Sequence, residues 1–201
     1  MRTKTFSNLN PEISDYIKEL HGSIEGDDLA LALKNARQQG TPPLQIYPTD
    51  GRHLEVLARS LKPSKIVEIG TLCGYSALIL ARALTKEGVL YTCELSPHHA
   101  QAAQKTFDEL NLTNTIKIIL GPALQTLPTL NHLGPFDLIF IDADKINYVE
   151  YLKWAKANIR QGGMIIADNV FAMGHIANKN LTEGNELKKI VLTLQEFNKQ
   201  C

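Results

Sequence analysis

The chain has 201 residues, and its 21 Lys and Arg residues balance 21 Asp and Glu residues, so the formal net charge is zero. This balance lacks the basic excess that nucleic-acid-binding proteins usually show, so we expect no nucleic-acid partner. Hydrophobic residues make up 44% of the sequence and charged residues 21%, which is close to the globular average and enough for a sizeable core. Together these values predict one domain spanning residues 1–201.

No apolar stretch is long enough to span a membrane, and the first twelve residues lack the apolar segment of a signal peptide. We therefore expect a cytoplasmic protein without a membrane partner. The cysteines at positions 73, 93 and 201 are odd in number and unpatterned, so neither disulfides nor a thiolate metal site is expected.

Residues 1–60 are predicted to form helices and a loop ahead of the main sheet. Apolar residues at helical spacing predict helices over residues 11–21, 27–39 and 51–61. Gly40 is placed to end the second of these helices. Residues 41–49 are too rich in proline for a helix and are typical of an extended loop.

From residue 61 onward, strands and helices are predicted to alternate. Short apolar runs, typical of strands buried on both faces, cover residues 65–70, 89–94, 116–121, 136–144 and 164–169. The intervening and following helices are predicted over residues 76–83, 97–110, 123–130, 148–159 and 185–199. Right-handed crossovers put helices on both faces of such a sheet. The predicted fold is therefore α/β, a doubly wound and mostly parallel sheet over residues 61–201.

The predicted strands end on small or acidic residues. In open α/β sheets, ligands bind just beyond the carboxyl ends of the strands. A sheet that aligns these ends brings several carboxylates to one rim, from Glu68, Glu94, Asp142, Asp144 and Asp168. The sequence therefore predicts a ligand site at this rim.

A glycine-bearing turn follows the first predicted strand. Gly70 and Gly74 let the backbone approach a ligand closely, but Leu72 stands where a dinucleotide fold has its second glycine, which argues against NAD and FAD. Glu94 ends the next strand, where a carboxylate can accept two hydrogen bonds from a ribose diol. Glu68 adds a negative charge that repels phosphate and attracts a sulfonium group. These features predict a cationic nucleoside ligand such as S-adenosylmethionine.

Oxygen ligands follow two later strands, at Asp142, Asp168 and Asn169. Oxygen-only ligation suits a hard divalent ion such as Mg²⁺, whereas these turns contain no His or Cys for zinc. Lys145 follows Asp142 by three residues and can reach the same pocket. A lysine near a divalent cation is shifted toward its neutral form and could act as a general base.

Structural explanations also exist for these motifs. The glycines could be ordinary turn glycines, and Glu94 a solvated strand end. Asp144 and Asn147 could orient a substrate or the lysine, but either could instead cap the next helix. Asp168 and Asn169 could be a turn pair. Tyr148, by contrast, is a functional candidate, since it could line the pocket.

Four motifs resemble those of the cation-dependent O-methyltransferases, the family that includes caffeoyl-CoA and catechol O-methyltransferases and their bacterial relatives. They are EIGTLCGYS at 68–76, GPAL at 121–124, FDLIFIDADKINY at 136–148 and GGMIIADNV at 162–170. The resemblance extends from about residue 44 to about residue 197. It implies a Rossmann-like methyltransferase fold that uses S-adenosylmethionine, and a homodimer built with the N-terminal helices.

The resemblance also implies roles for individual residues. Contacts to S-adenosylmethionine are implied at Ile46, Glu68, Gly70, Thr71, Ser76, Glu94, Ala123 and Asp142. Ligands for Mg²⁺, or alternatively Mn²⁺ or Ca²⁺, are implied at Asp142, Asp168 and Asn169, with Lys145 as the base and Asp144 as a substrate contact. In the implied mechanism, a small catechol-like aromatic diol binds the cation and loses a hydroxyl proton to the lysine. The hydroxyl oxygen then attacks the methyl carbon in line with the departing sulfur.

One departure from the family concerns the end of the sheet. Relatives continue past the last predicted helix into a β-hairpin, commonly with a GDG-type turn, whereas this chain ends at Cys201. We therefore expect the hairpin to be absent and the sheet edge to be exposed. The alternative to an enzyme is thus a non-catalytic or impaired S-adenosylmethionine-binding protein. Residues 173–185 predict a long polar loop that could shape the acceptor pocket.

Overall fold

The computed structural model describes residues 26–182 and 184–201, together with Glu12, Tyr16 and Glu19. Apart from those three positions, the helix predicted over residues 11–21 lies outside the described residues. None of the helices in the described part combines the length and the apolar character that a membrane span requires.

The chain alternates between strands and helices from residue 65 onward. The described α-helices are α1 (Asp27–Gln38), α2 (Pro48–Leu61), α3 (Tyr75–Ala81), α4 (Pro97–Glu109), α5 (Ala123–Thr126), α6 (Tyr148–Asn158) and α7 (Glu186–Gln200). The strands are β1 (Lys65–Ile69), β2 (Val89–Glu94), β3 (Ile116–Leu120), β4 (Phe136–Ile141) and β5 (Ile159–Ala167). Short 3₁₀ turns cover Leu127–Leu133, Lys145–Asn147 and Ala172–Gly174.

The five described strands form one parallel sheet in the order β3-β2-β1-β4-β5. The prediction of a doubly wound α/β sheet is therefore confirmed. The register pairs Ile69 of β1 with Cys93 of β2 and with Ile141 of β4, so the carboxyl ends of the central strands are level. Strand β5 is the edge strand beside β4, and no later strand follows it within the described residues.

Helices cover both faces of the sheet. Successive side chains of β1 point to opposite faces, so each face presents apolar residues to a layer of helices. Ile66 is fully buried in a cluster with residues of α1 to α4, including Phe107. Val67, the next residue, is fully buried in the opposite cluster with residues of α6 and α7, including Phe197. Both faces of the central strand are thus buried, as its unbroken apolar run predicts.

Several element boundaries differ from the predictions, including the end of β4, which was predicted at residue 144 and lies at Ile141. Helix α2 begins at Pro48, because proline is well suited to the first position of a helix, where its missing N–H is not needed. The helix predicted over residues 123–130 gives way after Thr126 to a 3₁₀ turn that contains Pro128. Strand β5 begins at Ile159 and passes through Gly162, which has a φ of +73°.

Candidate active site

A cavity of about 600 Å³ lies at the carboxyl ends of the strands. Most of the predicted site residues line it, namely Ile46, Gly70, Thr71, Ser76, Glu94, Ala123, Asp142, Asp144, Lys145 and Asn169. Glu68 is buried behind the glycine turn, and Asp168 is half-buried beside the cavity; neither is among the lining residues. The glycine turn and the acidic loop after β4 therefore open into one shared space.

The glycine turn after β1 packs directly against the end of β4. Gly70 has a φ of +107°, and a β-carbon there would lie 2.1 Å from the backbone oxygen of Asp142. The N–H of Asp142 donates to the carbonyl of Ile69 at 2.9 Å. Glycine is therefore required here by contact with the chain itself, and this contact sets the turn beside the acidic loop.

Glu94 is held at the cavity wall by two backbone donors. Its Oε2 accepts from the N–H of Leu72 at 2.8 Å, and its Oε1 accepts from the N–H of Ser96 at 2.8 Å. The Nδ1 of His99 lies 3.5 Å from Oε1. Since each carboxylate oxygen has two lone pairs, Glu94 retains acceptor capacity for a pair of hydroxyl groups.

Glu68 lies within a buried chain of hydroxyl groups. The hydroxyls of Thr71 and Thr92 are 2.6 Å apart, and that of Thr92 donates to Oε2 of Glu68 at 2.5 Å. Oε1 makes no hydrogen bond of good geometry within the described part of the chain. Burial raises the pKa of Glu68 to about 8, although the nearby hydroxyls of Ser76 and Thr92 act to lower it. The free protein therefore holds this carboxyl largely protonated at neutral pH.

Lys145 begins the 3₁₀ turn after β4 and contacts two side chains. Its Nζ donates to Oδ1 of Asp142 at 2.9 Å and to the hydroxyl of Tyr148. Tyr148 is fully buried and is not among the lining residues, so the prediction that it lines the pocket is wrong. Burial raises the pKa of Tyr148 above its usual range, and the carboxylates of Asp142 and Asp168 raise it further.

Asp144 is oriented by two donors on the same segment. The hydroxyl of Tyr151 donates to Oδ1 at 2.6 Å, and the side-chain amide of Asn147 donates to Oδ2 at 2.5 Å. Asn147 occupies the N-cap position of α6, but its side chain makes no capping hydrogen bond. The carboxylate of Asp144 is thereby fixed at the cavity wall.

Asp168 and Asn169 follow β5 directly beside the end of β4. The N–H of Asp168 donates to the carbonyl of Ile141 at 2.9 Å, which makes Asp168 the strand neighbour of Asp142. Its Oδ1 accepts from the N–H of Asn169, which has a left-handed φ of +58°. Within the described residues, no group of three or more His, Cys, Asp or Glu side chains is suited to a metal ion. The donor set here consists of two carboxylates and one amide.

Several lining residues were not singled out from the sequence, among them Leu44, His99 and Tyr151, whereas Met173 begins the loop at 173–185 that was predicted to shape the acceptor pocket. Tyr151 follows Tyr148 by three residues, and this helical spacing could have indicated it. His99 follows the Ser96–Pro97 start of α4, which could have placed it near Glu94. The sequence contains no comparable signal for Leu44, which lies in an irregular segment.

Comparisons with known proteins identify close relatives. The model of a family described as "O-methyltransferase" matches residues 23–201. The chain is 43% identical over 173 residues to a catechol O-methyltransferase from Niastella koreensis, covering 85% of this chain and 78% of that protein. It is 39% identical over 168 residues to one from Mycobacterium tuberculosis, covering 83% and 76% of the two chains. An O-methyltransferase from Bacillus cereus, solved in complex with SAH, aligns with a TM-score of 0.85 at 31% identity and covers 94% and 84%.

Proposed function

The chain belongs to the family of S-adenosylmethionine-dependent O-methyltransferases, and we propose that it methylates a hydroxyl group of a small aromatic vicinal diol, using a divalent cation and Lys145 as the general base. One observation carries this proposal. The cavity that contains Glu94 and the glycine turn at one side contains Asp142 and Lys145 at the other. A nucleoside-bound methyl donor and a hydroxyl acceptor can therefore meet in a single cavity.

The donor side suits the nucleoside part of S-adenosylmethionine. Glu94 keeps free lone pairs for the ribose hydroxyls while Leu72 and Ser96 hold its orientation. Ile46 and Ala123 supply apolar wall at the same side. The buried carboxyl of Glu68 lies behind the turn, where a sulfonium charge would favour its ionised form.

The side chains after β4 and β5 fit a hard divalent cation. Asp142 and Asp168 occupy neighbouring positions at the ends of adjacent strands, and Asn169 adds an amide oxygen in the cavity wall. The Nζ of Lys145 lies 2.9 Å from Oδ1 of Asp142, so the lysine and this carboxylate share one part of the cavity wall. Oxygen-only donors favour Mg²⁺, with Mn²⁺ or Ca²⁺ as the alternatives. Such a cation, when bound, supplies charge that lowers the pKa of an acceptor hydroxyl.

Lys145 is placed to take the proton from that hydroxyl. Its side chain is only 16% exposed, and its Nζ lies within the cavity wall beside Asp142. In its neutral form, Nζ would accept the hydroxyl proton and leave the acceptor oxygen as the nucleophile. Bound S-adenosylmethionine would supply the methyl group to that oxygen, and its sulfur would keep the electron pair of the broken carbon–sulfur bond as S-adenosylhomocysteine. Positioning of both reactants in one cavity lowers the barrier by removing their relative motion.

The acceptor is proposed to be a flat aromatic ring. The apolar side chains of Leu44 and Met173 line the cavity and are more than half exposed, which gives an apolar wall at its mouth. The two relatives described above are named as catechol O-methyltransferases, which supports a vicinal diol. The homodimer, the cytoplasmic location and the single domain with its N-terminal helices stay predictions.

The test is a methyl-transfer assay with labelled S-adenosylmethionine, Mg²⁺ and matched pairs of catechols and monohydroxy phenols. We expect transfer to the catechols, and we expect EDTA to abolish turnover while S-adenosylhomocysteine still binds by calorimetry. Turnover that persists undiminished in EDTA would remove the cation from the mechanism. Binding of S-adenosylhomocysteine without transfer to any acceptor would instead favour the non-catalytic binding protein.

Two lysine variants distinguish the loss of a general base from the loss of a positive charge. Lys145→Ala should lower kcat by about a hundredfold or more, the usual scale for removal of a general base. Lys153→Ala is the matched control, because Lys153 lies on α6, is 58% exposed and pairs with Glu150 at the surface. Equal rates for the two variants would reject Lys145 as the base.

A further inference from the structure

We propose that Tyr148 is the positioning residue of Lys145, so that its hydroxyl sets the direction in which the lysine nitrogen faces the acceptor. This inference rests on the proposed role of Lys145 in methyl transfer. Tyr148 is fully buried and is not among the residues that line the cavity, so its effect on the reaction must pass through a neighbour. That neighbour is Lys145, whose Nζ donates to the Tyr148 hydroxyl.

The hydroxyl of Tyr148 is itself fixed by the ends of two strands. It lies 3.0 Å from the carbonyl oxygen of Asp168 and 3.2 Å from that of Ile141, so its single hydrogen is directed toward these backbone acceptors. A lone pair of the oxygen then faces Lys145. The carbonyl of Asp168 directly follows β5, and that of Ile141 ends β4, so the hydroxyl is held by two adjacent strands of the sheet.

The ring of Tyr148 is held as firmly as its hydroxyl. It packs against Phe197 of α7 with ring centres 5.4 Å apart and against Tyr151 with ring centres 6.3 Å apart. The Nζ of Lys145 lies 4.5 Å from the centre of the Tyr148 ring. A lysine side chain is long and flexible, and holding it in one rotamer costs conformational entropy. The hydrogen bond to the Tyr148 hydroxyl and the contact with the Tyr148 ring offset this cost before the acceptor binds.

Two side chains restrain the lysine nitrogen. In the structure, Nζ donates to Oδ1 of Asp142 and to the hydroxyl of Tyr148. Because Lys145 also lines the cavity, these two hydrogen bonds limit the directions in which Nζ can face an acceptor there.

Tyr151 provides a matched comparison on the same helix. It follows Tyr148 by one turn of α6 and is only 2% exposed, and its ring belongs to the same aromatic cluster. Its hydroxyl, however, donates to Asp144 and not to the lysine. Tyr→Phe at either position therefore removes one hydroxyl from the same aromatic cluster, but only Tyr148→Phe releases Lys145.

The first experiment measures the lysine without measuring methyl transfer. The protein and the variants Tyr148→Phe and Tyr151→Phe are treated briefly with acetic anhydride, and the labelling of each lysine is followed by peptide mass spectrometry. We expect Lys145 to react about threefold faster or more in Tyr148→Phe, and at the parent rate in Tyr151→Phe, because only the former loses the contact that restrains Nζ.

Lys153 and Lys156 on α6 are internal references in this experiment. An unchanged Lys145 rate in Tyr148→Phe would overturn the proposal. A rise shared by all three lysines would also overturn it, since it would mean that the substitution loosens the helix as a whole.

The second experiment is a double-mutant cycle on kcat. Tyr148→Phe should lower kcat by about tenfold while the KM for S-adenosylmethionine stays within about twofold, because a misdirected base impairs the chemical step and not donor binding. In a Lys145→Ala background, Tyr148→Phe should cause no further fall, since it would act through the side chain already removed. Tyr151→Phe should have the same effect in both backgrounds.

If kcat of the Tyr148→Phe and Lys145→Ala double variant fell by the product of the two single effects, the proposal would be overturned. Tyr148 would then have a purely structural role. The failure of the proposed base is distinguishable from this result. In that case Lys145→Ala alone would turn over at the parent rate, while the labelling experiment would still report whether Tyr148 restrains the lysine.

Discussion

The backbone N–H of Leu72 donates a 2.8 Å hydrogen bond to Oε2 of Glu94, and this bond joins the glycine turn after β1 to the end of β2. Leu72 has a φ of +49°, a left-handed conformation that is uncommon for a leucine. The bond to Glu94 helps to compensate for that conformation. A change at Glu94 therefore affects the shape of the turn as well as a ligand contact.

We expect Glu94→Gln to weaken the binding of S-adenosylhomocysteine by about tenfold or more. The NH₂ group of the glutamine cannot accept a hydrogen bond from a backbone N–H or from a ribose hydroxyl. Calorimetric titration measures this change. Glu55→Gln is the control: Glu55 is also buried, but its carboxylate pairs with Arg52 and Arg59 on α2, away from the cavity. Glu55→Gln should lower stability without changing the dissociation constant, and similar losses of affinity in the two variants would contradict the role of Glu94.

The sequence was sufficient to predict the sheet and the residues at its rim, because both depend on local patterns. Short apolar runs predict buried strands, and acidic residues after them fall at one edge of a parallel sheet. Asp142 and Lys145 could thus be assigned to one site before the fold was known. The glycine turn was predicted as well, although the contact of Gly70 with the backbone of Asp142 was not.

The side-chain contacts within the site could not be predicted, because they depend on small rotations of the backbone. The 3₁₀ turn Lys145–Asn147 directs Lys145 toward Tyr148 and leaves Asp144 facing Tyr151. A continuous α-helix from Asp144 would turn these side chains in other directions. The sequence contains the residues at helical spacing, but it does not show where the 3₁₀ turn ends and α6 begins.

Glu68 should make the stability of the free protein fall as pH rises through neutrality. Burial raises its pKa from 4.5 to about 8, so between these values the folded state holds a proton that the unfolded state has lost. The free energy of unfolding should therefore decrease between pH 5 and pH 8, on the order of 1 kcal/mol per pH unit. Urea unfolding at several pH values measures this slope. Glu68→Gln removes the titrating group, and an equally steep slope in that variant would assign the effect to another residue.

The same carboxyl should distinguish S-adenosylmethionine from S-adenosylhomocysteine in a pH-dependent manner. The two ligands differ by one methyl group and by the positive charge of the sulfonium, which favours the ionised form of Glu68. The affinity for S-adenosylmethionine should therefore rise relative to that for S-adenosylhomocysteine between pH 6 and pH 8, by about tenfold for each unit by which the sulfonium lowers the pKa. Calorimetry with both ligands tests this. An affinity ratio that changes equally with pH in Glu68→Gln would rule out this carboxyl as the cause.

Gly74 should tolerate a side chain far less well than Gly40, although both have a left-handed φ, of +80° and +68° respectively. A β-carbon at Gly74 would lie 2.7 Å from the ring of Phe107, which is fully buried in α4, whereas no atom lies within 4 Å of one at Gly40. Both alanine variants bear the backbone strain, so their difference isolates the overlap with the ring. We expect Gly74→Ala to lower the free energy of unfolding by about 1–3 kcal/mol more than Gly40→Ala, measured by urea unfolding. Equal losses would mean that Phe107 moves aside without cost and that the turn is less tightly packed than its contacts indicate.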